Sequence, residues 1–253
     1  MKTEKYIHYC WFGGNPLPKD AVRCIESWKK YLPDYKIIEW NEKNFDLTKA
    51  CTYVRQAYEC KKWAFVSDYA RFKILYEYGG LYFDTDVEVI KNLDDIIKNG
   101  NFMAEEMNCF SSQTKGDIFR VAPGLGLYAV PGLSIYRRIL DVYESSTFLN
   151  EKGEFNGKTV VDYTTELLQR YGYKGDGSIE HVEEINIYPP EYFCPMNPVT
   201  GEINITDNTF SIHHYTASWQ SPYTRFKTAV KRVLGKKVSD KIIYMKRKMK
   251  NGK

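Results

Sequence analysis

Two aspartates that follow an apolar run, Asp84 and Asp86, are the strongest chemical signal in this 253-residue chain. The run Gly-Gly-Leu-Tyr-Phe at 79–83 predicts a buried strand, and side chains two residues apart on an extended chain point the same way. Ligands of open α/β sheets bind outside the carboxyl ends of the strands. Two carboxylates there repel each other unless a cation neutralises them, so the pair predicts a hard divalent ion held together with a phosphate. An Asp-rich surface turn is the alternative, and the apolar run and the double glycine argue against it.

The helix predicted just before that strand carries a second pair, Asp68 and Arg71. Residues three apart on a helix share a face, so these two side chains should lie together. A carboxylate can accept hydrogen bonds from sugar or ribose hydroxyls. An arginine can grip a phosphate or a hydroxyl with two donors, and it stays charged at any working pH. An ordinary surface ion pair is the alternative. Because the helix leads directly into the strand before Asp84, we favour a binding role.

Two further segments carry side chains suited to a ligand. Trp11 ends the first predicted strand, before Gly13 and Gly14, where its ring can stack on a nucleobase while the glycines permit close approach. A core tryptophan is the alternative reading. His213 and His214 are adjacent in a late predicted strand, so they face opposite ways and at most one can join the same ion. An imidazole beside carboxylates favours Mn²⁺ over Ca²⁺, and a buried histidine pair without a metal is the alternative.

Alternating strands and helices would position these side chains. Apolar patterns and turn residues predict strands at 6–12, 35–40, 81–83, 87–90, 102–105, 121–130 and 211–215, and helices at 21–32, 52–59, 62–78, 93–98, 135–143 and 160–171. This alternation is typical of an α/β domain with a largely parallel sheet. No internal repeat or linker precedes about residue 222, so we expect one domain over 1–222 and a separate tail over 223–253.

The composition is that of an ordinary folded chain, with 43% hydrophobic and 27% charged residues. It excludes collagen-like and disordered chains, and no run approaches the roughly 20 apolar residues of a membrane-spanning helix. The first residues lack the apolar core and cleavage site of a signal peptide. The six cysteines are irregularly spaced, without a C-x-x-C pair. We therefore expect reduced thiols, no zinc site and a cytoplasmic protein.

The charge of the chain is unevenly distributed. Residues 225–253 hold twelve Lys and Arg and one acid, Asp240, whereas the rest of the chain holds the other 24 of 36 basic residues and 31 of 32 acidic ones. Apolar residues recur at helical spacing in this tail with Lys and Arg between them, which is typical of an amphipathic helix on an anionic membrane surface. A helix packed on its own domain and a nucleic-acid arm are the alternatives. The tail has few aromatic residues, which argues against stacking on bases.

Together these segments resemble glycosyltransferase family 32, whose members carry the D-x-D sugar-binding motif. The matching stretches, in one-letter code, are IHYCWFGG at 7–14, CIESW at 24–28, WAFVSDYAR at 63–71, YGGLYFDTD at 78–86 and HHYTASW at 213–219. They span nearly all of the chain before the tail. Bacterial capsule and surface-polysaccharide enzymes belong to this family, as do the yeast initiating mannosyltransferases, and the clostridial glucosylating toxins are more distant relatives.

The resemblance implies a GT-A fold, an α/β domain with a mixed central sheet, and transfer of a sugar from a nucleotide donor with retention of configuration. On the family pattern Trp11 would stack on the base. Asp68 and Arg71 would bind the ribose, the sugar or the diphosphate. Asp84 would reach the ribose or sugar and the metal ion, and Asp86 would bind Mn²⁺ (or Mg²⁺) directly. The last four of these residues would form the catalytic group.

The resemblance also extends to the late histidines. It favours His214 as the further metal ligand, four residues before Ser218, which with Trp219 would contact the leaving diphosphate. The stretch 122–128 departs from the sequence that many bacterial members have there. Because this region lines the acceptor and reaction centre in such enzymes, we assign neither an acceptor nor a nucleophile.

The resulting prediction is metal-dependent retaining transfer of a hexose or N-acetylhexosamine, with a UDP-sugar favoured over a GDP-sugar as donor. The acceptor would be a glycan, in particular a lipid-linked oligosaccharide of capsular or surface polysaccharide, reached at the inner face of the plasma membrane through residues 225–253. Two other classes stay open, namely a metal-dependent phosphohydrolase or nuclease built on the same acids, and a non-catalytic membrane or sugar-binding module. The acidic body argues against a nucleic-acid substrate.

Overall fold

In the computed structural model, which describes residues 5–107, 119–198 and 200–216, strands alternate with helices as the sequence predicts. The strands are β1 (Tyr6–Cys10), β2 (Lys36–Trp40), β3 (Gly80–Tyr82), β4 (Val87–Val89), β5 (Phe102–Met107), β6 (Phe119–Val121), β7 (Leu127–Ala129), β8 (Glu180–Val182), β9 (Ile185–Tyr188) and β10 (Ser211–His213). The helices are α1 (Lys19–Tyr31), α2 (Thr52–Glu59), α3 (Trp63–Tyr78), α4 (Asp94–Lys98), α5 (Ser134–Glu144), α6 (Val160–Gln169) and α7 (Pro190–Phe193).

The central sheet is mixed, with strand order β2-β1-β3-β7-β5-β9-β8 and with β6 paired to β5. Strand β1 pairs in parallel with β2 and β3, and β5 pairs in parallel with β9, whereas β7 is antiparallel to both β3 and β5. The mixed sheet implied by the resemblance is confirmed. The largely parallel sheet expected from the alternation alone is wrong, because tight connections such as that from β8 to β9 join antiparallel neighbours and need no crossover helix.

One edge of the sheet gathers three strand ends. Because β7 reverses direction between β3 and β5, those two strands run the same way, and β1 runs parallel to β3. The carboxyl ends of β1, β3 and β5 therefore lie at the same edge. Strands β4 and β10 form a separate antiparallel pair. Strand β4 follows β3 along the chain, so this pair begins at the same edge.

Helix α3 is buried on nearly all of its faces, since it lies between β1 and β3 on one side and α2 and α5 on the other. This position explains why apolar residues occur around most of the helix and are not confined to one stripe. Asp68 and Arg71 are buried exceptions within it. The helix ends at Gly79, as predicted, with φ of 65° and its N–H donating to the Leu75 carbonyl at 2.9 Å.

Several short elements differ from the prediction. The stretch 121–130 contains a turn between β6 and β7, because Pro123, Gly124 and Gly126 interrupt the apolar run. Strands β8 and β9 and helix α7 are each four residues or fewer, and none of the three was predicted from the sequence. Segments of this length carry too little periodicity to distinguish a strand from a loop.

The predicted tail over 223–253 lies outside the described residues, so its separation from the domain stays a prediction. None of the helices within the described ranges combines the length and the apolarity that a bilayer crossing requires.

Replacing Gly79 by alanine should destabilise the fold at the junction of α3 and β3. The backbone there is left-handed, and an added Cβ would lie 2.6 Å from Pro131 Cδ and 2.8 Å from the Ala129 carbonyl oxygen. We expect the free energy of unfolding, measured by urea denaturation, to fall by about 2–4 kcal/mol from backbone strain and overpacking together.

Gly153→Ala is the matched control, since its φ is 76° but no atom lies within 4 Å of the added Cβ. That variant should lose only about 1 kcal/mol. Equal losses in the two variants would refute the steric part of this explanation.

Candidate active site

The turn that carries the two aspartates begins where β3 ends. After Phe83 the chain turns, and the Val87 N–H donates to the Asp84 carbonyl at 3.1 Å. Thr85 and Asp86 therefore lie in a turn and not on the extended strand from which the sequence argument started. The turn still brings both carboxylates together, because ligand atoms of Asp84, Asp86 and His213 all lie within 4.8 Å of one another.

Arg71 joins the two predicted pairs into one charge network. Its guanidinium lies 2.7 Å from the Asp68 carboxylate and 3.3 Å from that of Asp84. The Tyr82 hydroxyl donates to Asp84 Oδ1 at 3.0 Å, and the Tyr82 ring centroid lies 5.0 Å from the guanidinium carbon of Arg71. Only 4% of the Arg71 side chain is exposed, and the charged groups that it contacts in this structure are the carboxylates of Asp68 and Asp84. The predicted grip on a phosphate stays a prediction.

Burial and charge act in opposite directions on these groups. Burial raises the pKa of Asp68 to about 7, although the positive charge of Arg71 opposes the rise. Burial would also raise the pKa of Asp86, but the contacts of His213 and Thr216 outweigh it and hold that pKa well below its usual range. Burial disfavours the charged form of His213, yet Asp86 outweighs this effect and raises the His213 pKa. Asp86 is thus ionised, which is the state a metal ligand requires.

Residues 213–216, which we call the clasp, wrap around Asp86. His213 Nε2 lies 3.1 Å from Asp86 Oδ1. The Thr216 N–H and hydroxyl donate to Asp86 Oδ2 at 2.9 Å and 3.1 Å, and the His214 N–H donates to the Asp86 carbonyl at 2.9 Å. The antiparallel pairing of β10 with β4 delivers the clasp to this turn. Asp86 therefore has a partner on each carboxylate oxygen.

His213, and not His214, joins the two aspartates. The resemblance favoured His214, but the Nε2 of His214 lies 2.7 Å from Glu88 Oε2, on β4. The two histidines face opposite ways, as expected for neighbours at the end of a strand. The register of β10 on β4 decides which of them faces the turn, and the sequence does not fix that register. In the structure His213, and not the predicted His214, is therefore the candidate for the third metal ligand.

The side chains of this group fit a divalent ion of the Mn²⁺ or Mg²⁺ type. Carboxylate and imidazole donors in one group suit Mn²⁺, and the two carboxylates also suit Mg²⁺. His213 Nδ1 is buried and has no hydrogen-bond partner among the described residues. The hydrogen-bond partner of the imidazole is therefore Asp86, at Nε2. A cation in place of the proton that His213 and Asp86 share would be a ligand-bound partner for both side chains.

Gly124 and Glu106 belong to the site but were not predicted. The Gly124 carbonyl accepts from the Asp84 N–H at 3.2 Å, and a Cβ at this position would collide with the Asp84 carboxylate. Its sequence signal was the Pro-Gly cluster in the stretch that departs from the family pattern. Glu106, near the carboxyl end of β5, accepts from the Tyr215 hydroxyl at 3.1 Å. A single glutamate at the end of an apolar strand gave no distinctive signal.

Trp11 lies at the same edge of the sheet as the aspartate turn, since it follows β1 and Asp84 follows the parallel strand β3. Its ring is partly buried, and its Nε1 donates to the Asn15 carbonyl at 2.6 Å. Stacking of this ring on a base stays a prediction. Ser218 and Trp219, the predicted diphosphate contacts, lie outside the described residues.

The family comparison decides the class of the protein. Residues 18–103 match the family described as "Glycosyltransferase sugar-binding region containing DXD motif". This range contains Asp68, Arg71, Asp84 and Asp86, which the structure gathers at one edge of the sheet. The chain is a glycosyltransferase, and its matched region is similar to family 32. The enzyme class predicted from the sequence is thereby confirmed. No functionally curated protein matches the glycosyltransferase significantly.

Solved structures support the fold of the glycosyltransferase. Mouse xyloside xylosyltransferase 1 has a TM-score of 0.51 at 11% identity, over 87% of this chain and all (100%) of that one. At this identity the likeness concerns the fold alone, which is the predicted GT-A fold. Two other glycosyltransferase structures have TM-scores below 0.5. PaToxG glycosyltransferase scores 0.47 at 19% identity, over 66% of this chain and 69% of that one. A glycosyltransferase involved in glycosylation of the PBCV-1 major capsid scores 0.45 at 11% identity, over 87% and 97%.

Replacing Gly124 by alanine should disable the site while preserving the fold. The added Cβ would displace the Asp84 carboxylate, which would lose its contacts with Arg71 and Tyr82. A displacement of about 1 Å in a catalytic group costs about 100-fold in rate, so we expect a loss of that order in kcat/KM for sugar transfer.

A double-mutant cycle with Asp84→Ala checks the cause of this effect. The free energy of unfolding lost in Gly124→Ala should be largely recovered when Asp84 is already alanine, because the colliding carboxylate is then absent. Additive losses in the double variant would contradict the collision, as would full transferase activity of Gly124→Ala.

Proposed function

We propose that this glycosyltransferase transfers a hexose or N-acetylhexosamine from a nucleoside diphosphate sugar, with retention of configuration and with Mn²⁺ or Mg²⁺ at Asp84, Asp86 and His213. The observation that carries the proposal is the convergence of these three side chains next to the buried Arg71 network. Two anionic oxygens and an imidazole nitrogen in one group are ligands for a divalent ion. Such an ion would bind the diphosphate of a nucleoside diphosphate sugar.

The chemistry of the donor fits these residues. Breaking the bond between sugar and phosphate builds negative charge on the departing diphosphate, and a divalent ion bound here would stabilise that charge. The anomeric carbon becomes positively charged at the same time, and a carboxylate such as that of Asp84 stabilises it. Arg71 holds Asp84 in place through the 3.3 Å ion pair. Asp68, on the far side of Arg71, keeps the guanidinium oriented.

The base and the acceptor follow from the family resemblance. We propose a UDP-sugar as the preferred donor, with Trp11 stacking on uracil, and Ser218 and Trp219 contacting the diphosphate. We propose a glycan acceptor, in particular a lipid-linked oligosaccharide of capsular or surface polysaccharide. Residues 225–253, with twelve basic residues and one acid, would hold the enzyme on the anionic inner face of the plasma membrane.

Thermal unfolding in the presence of nucleotides tests the donor and the metal together. UDP with Mn²⁺ should raise the Tm by about 5 °C at 100 times the dissociation constant, because a ligand that binds only the folded state stabilises it by mass action. UDP or Mn²⁺ alone should raise the Tm less. Asp86→Asn should lose the metal-dependent part of the shift, since a neutral amide replaces the anionic ligand.

Asp176→Asn is the matched control, because Asp176 is an exposed acid whose partner is the nearby Ser178. It should keep the full shift. A metal-dependent shift with GDP and none with UDP would contradict the proposed uracil and indicate a GDP-sugar as donor. The absence of a shift with every nucleotide and metal would contradict the proposal and favour a non-catalytic binding module. Release of phosphate without any sugar transfer would favour a phosphohydrolase.

Removing residues 225–253 should weaken binding to vesicles that contain anionic lipid, because each basic residue near such a surface contributes about 1 kcal/mol. Cosedimentation of the full chain and of the truncated chain measures the difference, and neutral vesicles serve as the control. Donor binding, measured by the Tm shift with UDP and Mn²⁺, should be retained. Equal binding of both chains to anionic vesicles would contradict a membrane role and favour a helix packed on the domain.

A further inference from the structure

The clasp is the segment on which the proposed metal site depends for its third ligand. Within four residues it places the His213 imidazole on one oxygen of Asp86 and two donors of Thr216 on the other. A small rotation of the clasp would move both partners of Asp86 at once. The geometry around Asp86 therefore depends on the backbone conformation between His213 and Thr216.

That backbone is strained at its centre. Tyr215 has a φ of 48°, in the left-handed region that residues with a side chain rarely adopt. Such a conformation persists only where the surroundings hold it, and it occurs preferentially at functional sites. In this segment it turns the chain after β10, so that Thr216 faces Asp86.

Two contacts hold the Tyr215 hydroxyl on the sheet side. It donates to Glu106 Oε2 at 3.1 Å, near the carboxyl end of β5, and it lies 2.9 Å from Cys194 Sγ, directly after α7. The Tyr215 ring also packs edge-on against the His213 imidazole, with centroids 4.3 Å apart. The hydroxyl thus ties the clasp to the central sheet, and the ring limits the rotation of the imidazole.

We infer that Tyr215, anchored by Glu106, is a positioning residue that holds His213 and Thr216 in place around Asp86 for the metal ion. The inference rests on the proposed function and names the support of that same site. Among the described residues, Glu106 is not part of the group of possible metal ligands, and the Tyr215 hydroxyl contacts Glu106 and Cys194. Both residues would therefore act through the ligands. Groups that orient metal ligands by hydrogen bonds commonly change metal affinity by 10–100-fold when they are removed.

Tyr173 provides a matched control, because its hydroxyl also contacts a glutamate of β5. Its hydroxyl donates to Glu105 Oε1 at 2.8 Å, which is the same type of hydrogen bond to the neighbouring residue of β5. Glu105 and Glu106 are successive residues of one strand, so they point to opposite faces. The Tyr173 hydroxyl also has a second partner, the Phe119 carbonyl at 3.1 Å, as the Tyr215 hydroxyl has in Cys194. Tyr173→Phe therefore removes a comparable hydroxyl with two partners, neither of which contacts Tyr215.

The test measures Mn²⁺ binding to the full-length protein by electron paramagnetic resonance of the free ion, without any donor. Tyr215→Phe keeps the ring against His213 but loses the hydroxyl, and we expect its dissociation constant for Mn²⁺ to rise about tenfold. Tyr173→Phe should stay within twofold of the wild type. Equal affinities of Tyr215→Phe and the wild type would overturn the inference while leaving the proposed function intact.

Two variants of Glu106 separate a hydrogen-bond effect from a charge effect. Glu106→Gln keeps an acceptor for the Tyr215 hydroxyl and should bind Mn²⁺ within threefold of the wild type, whereas Glu106→Ala should lose about tenfold. Equal losses in both would mean that the charge of Glu106 matters and not its hold on Tyr215, which would overturn the positioning role. A wild-type protein that binds no Mn²⁺ would refute the metal in the proposed function, and this inference with it.

Discussion

Carboxylates gathered in a buried place must be compensated by positive charge, and this requirement organises the whole site. Asp68 and Asp84 share the buried guanidinium of Arg71, at 2.7 Å and 3.3 Å. Asp86 is compensated on the other side by His213. Removing water from an unpaired charge costs several kcal/mol, and each of these three carboxylates has a basic side chain beside it. The imidazole therefore lies next to Asp86 and joins the two aspartates in the group that could hold a metal ion.

The mixed sheet brings the compensating groups within reach. Strand β1 and strand β3 pair in parallel, and β7 between β3 and β5 returns the chain so that β5 also ends at the same edge. Helix α3 packs across these strands and presents Arg71 to the turn after β3. The loop after β6 closes the other side, where Gly124 leaves room for the Asp84 carboxylate. The sheet, the helix and the loop thus fix the position of Asp84 from three directions.

The end of β10 supplies the part of the site that comes from farthest along the chain. More than 120 residues separate Asp86 from Thr216, yet they share two hydrogen bonds. The antiparallel pairing with β4 sets this approach, and the left-handed backbone of Tyr215 completes it. The aspartate turn precedes β4 and His213 ends β10, so the candidate site is held by the two strands of one small sheet. The distance between His213 and Asp86 then depends on how firmly those two strands are held together.

The resemblance of the sequence to a known family indicated the class of the enzyme. The residues by themselves determined most element positions and two candidate pairs, Asp68 with Arg71 and Asp84 with Asp86. These follow from local patterns, because helix spacing, an apolar run and a D-x-D pair are properties of neighbouring residues. The tertiary structure alone decided that the central sheet is mixed, that His213 and not His214 faces the aspartates, and that Gly124 and Glu106 belong to the site. Each of these depends on strand direction or register, and a shift of one residue turns every side chain of a strand to the opposite face. Register is set by pairing between distant segments, which no local pattern records.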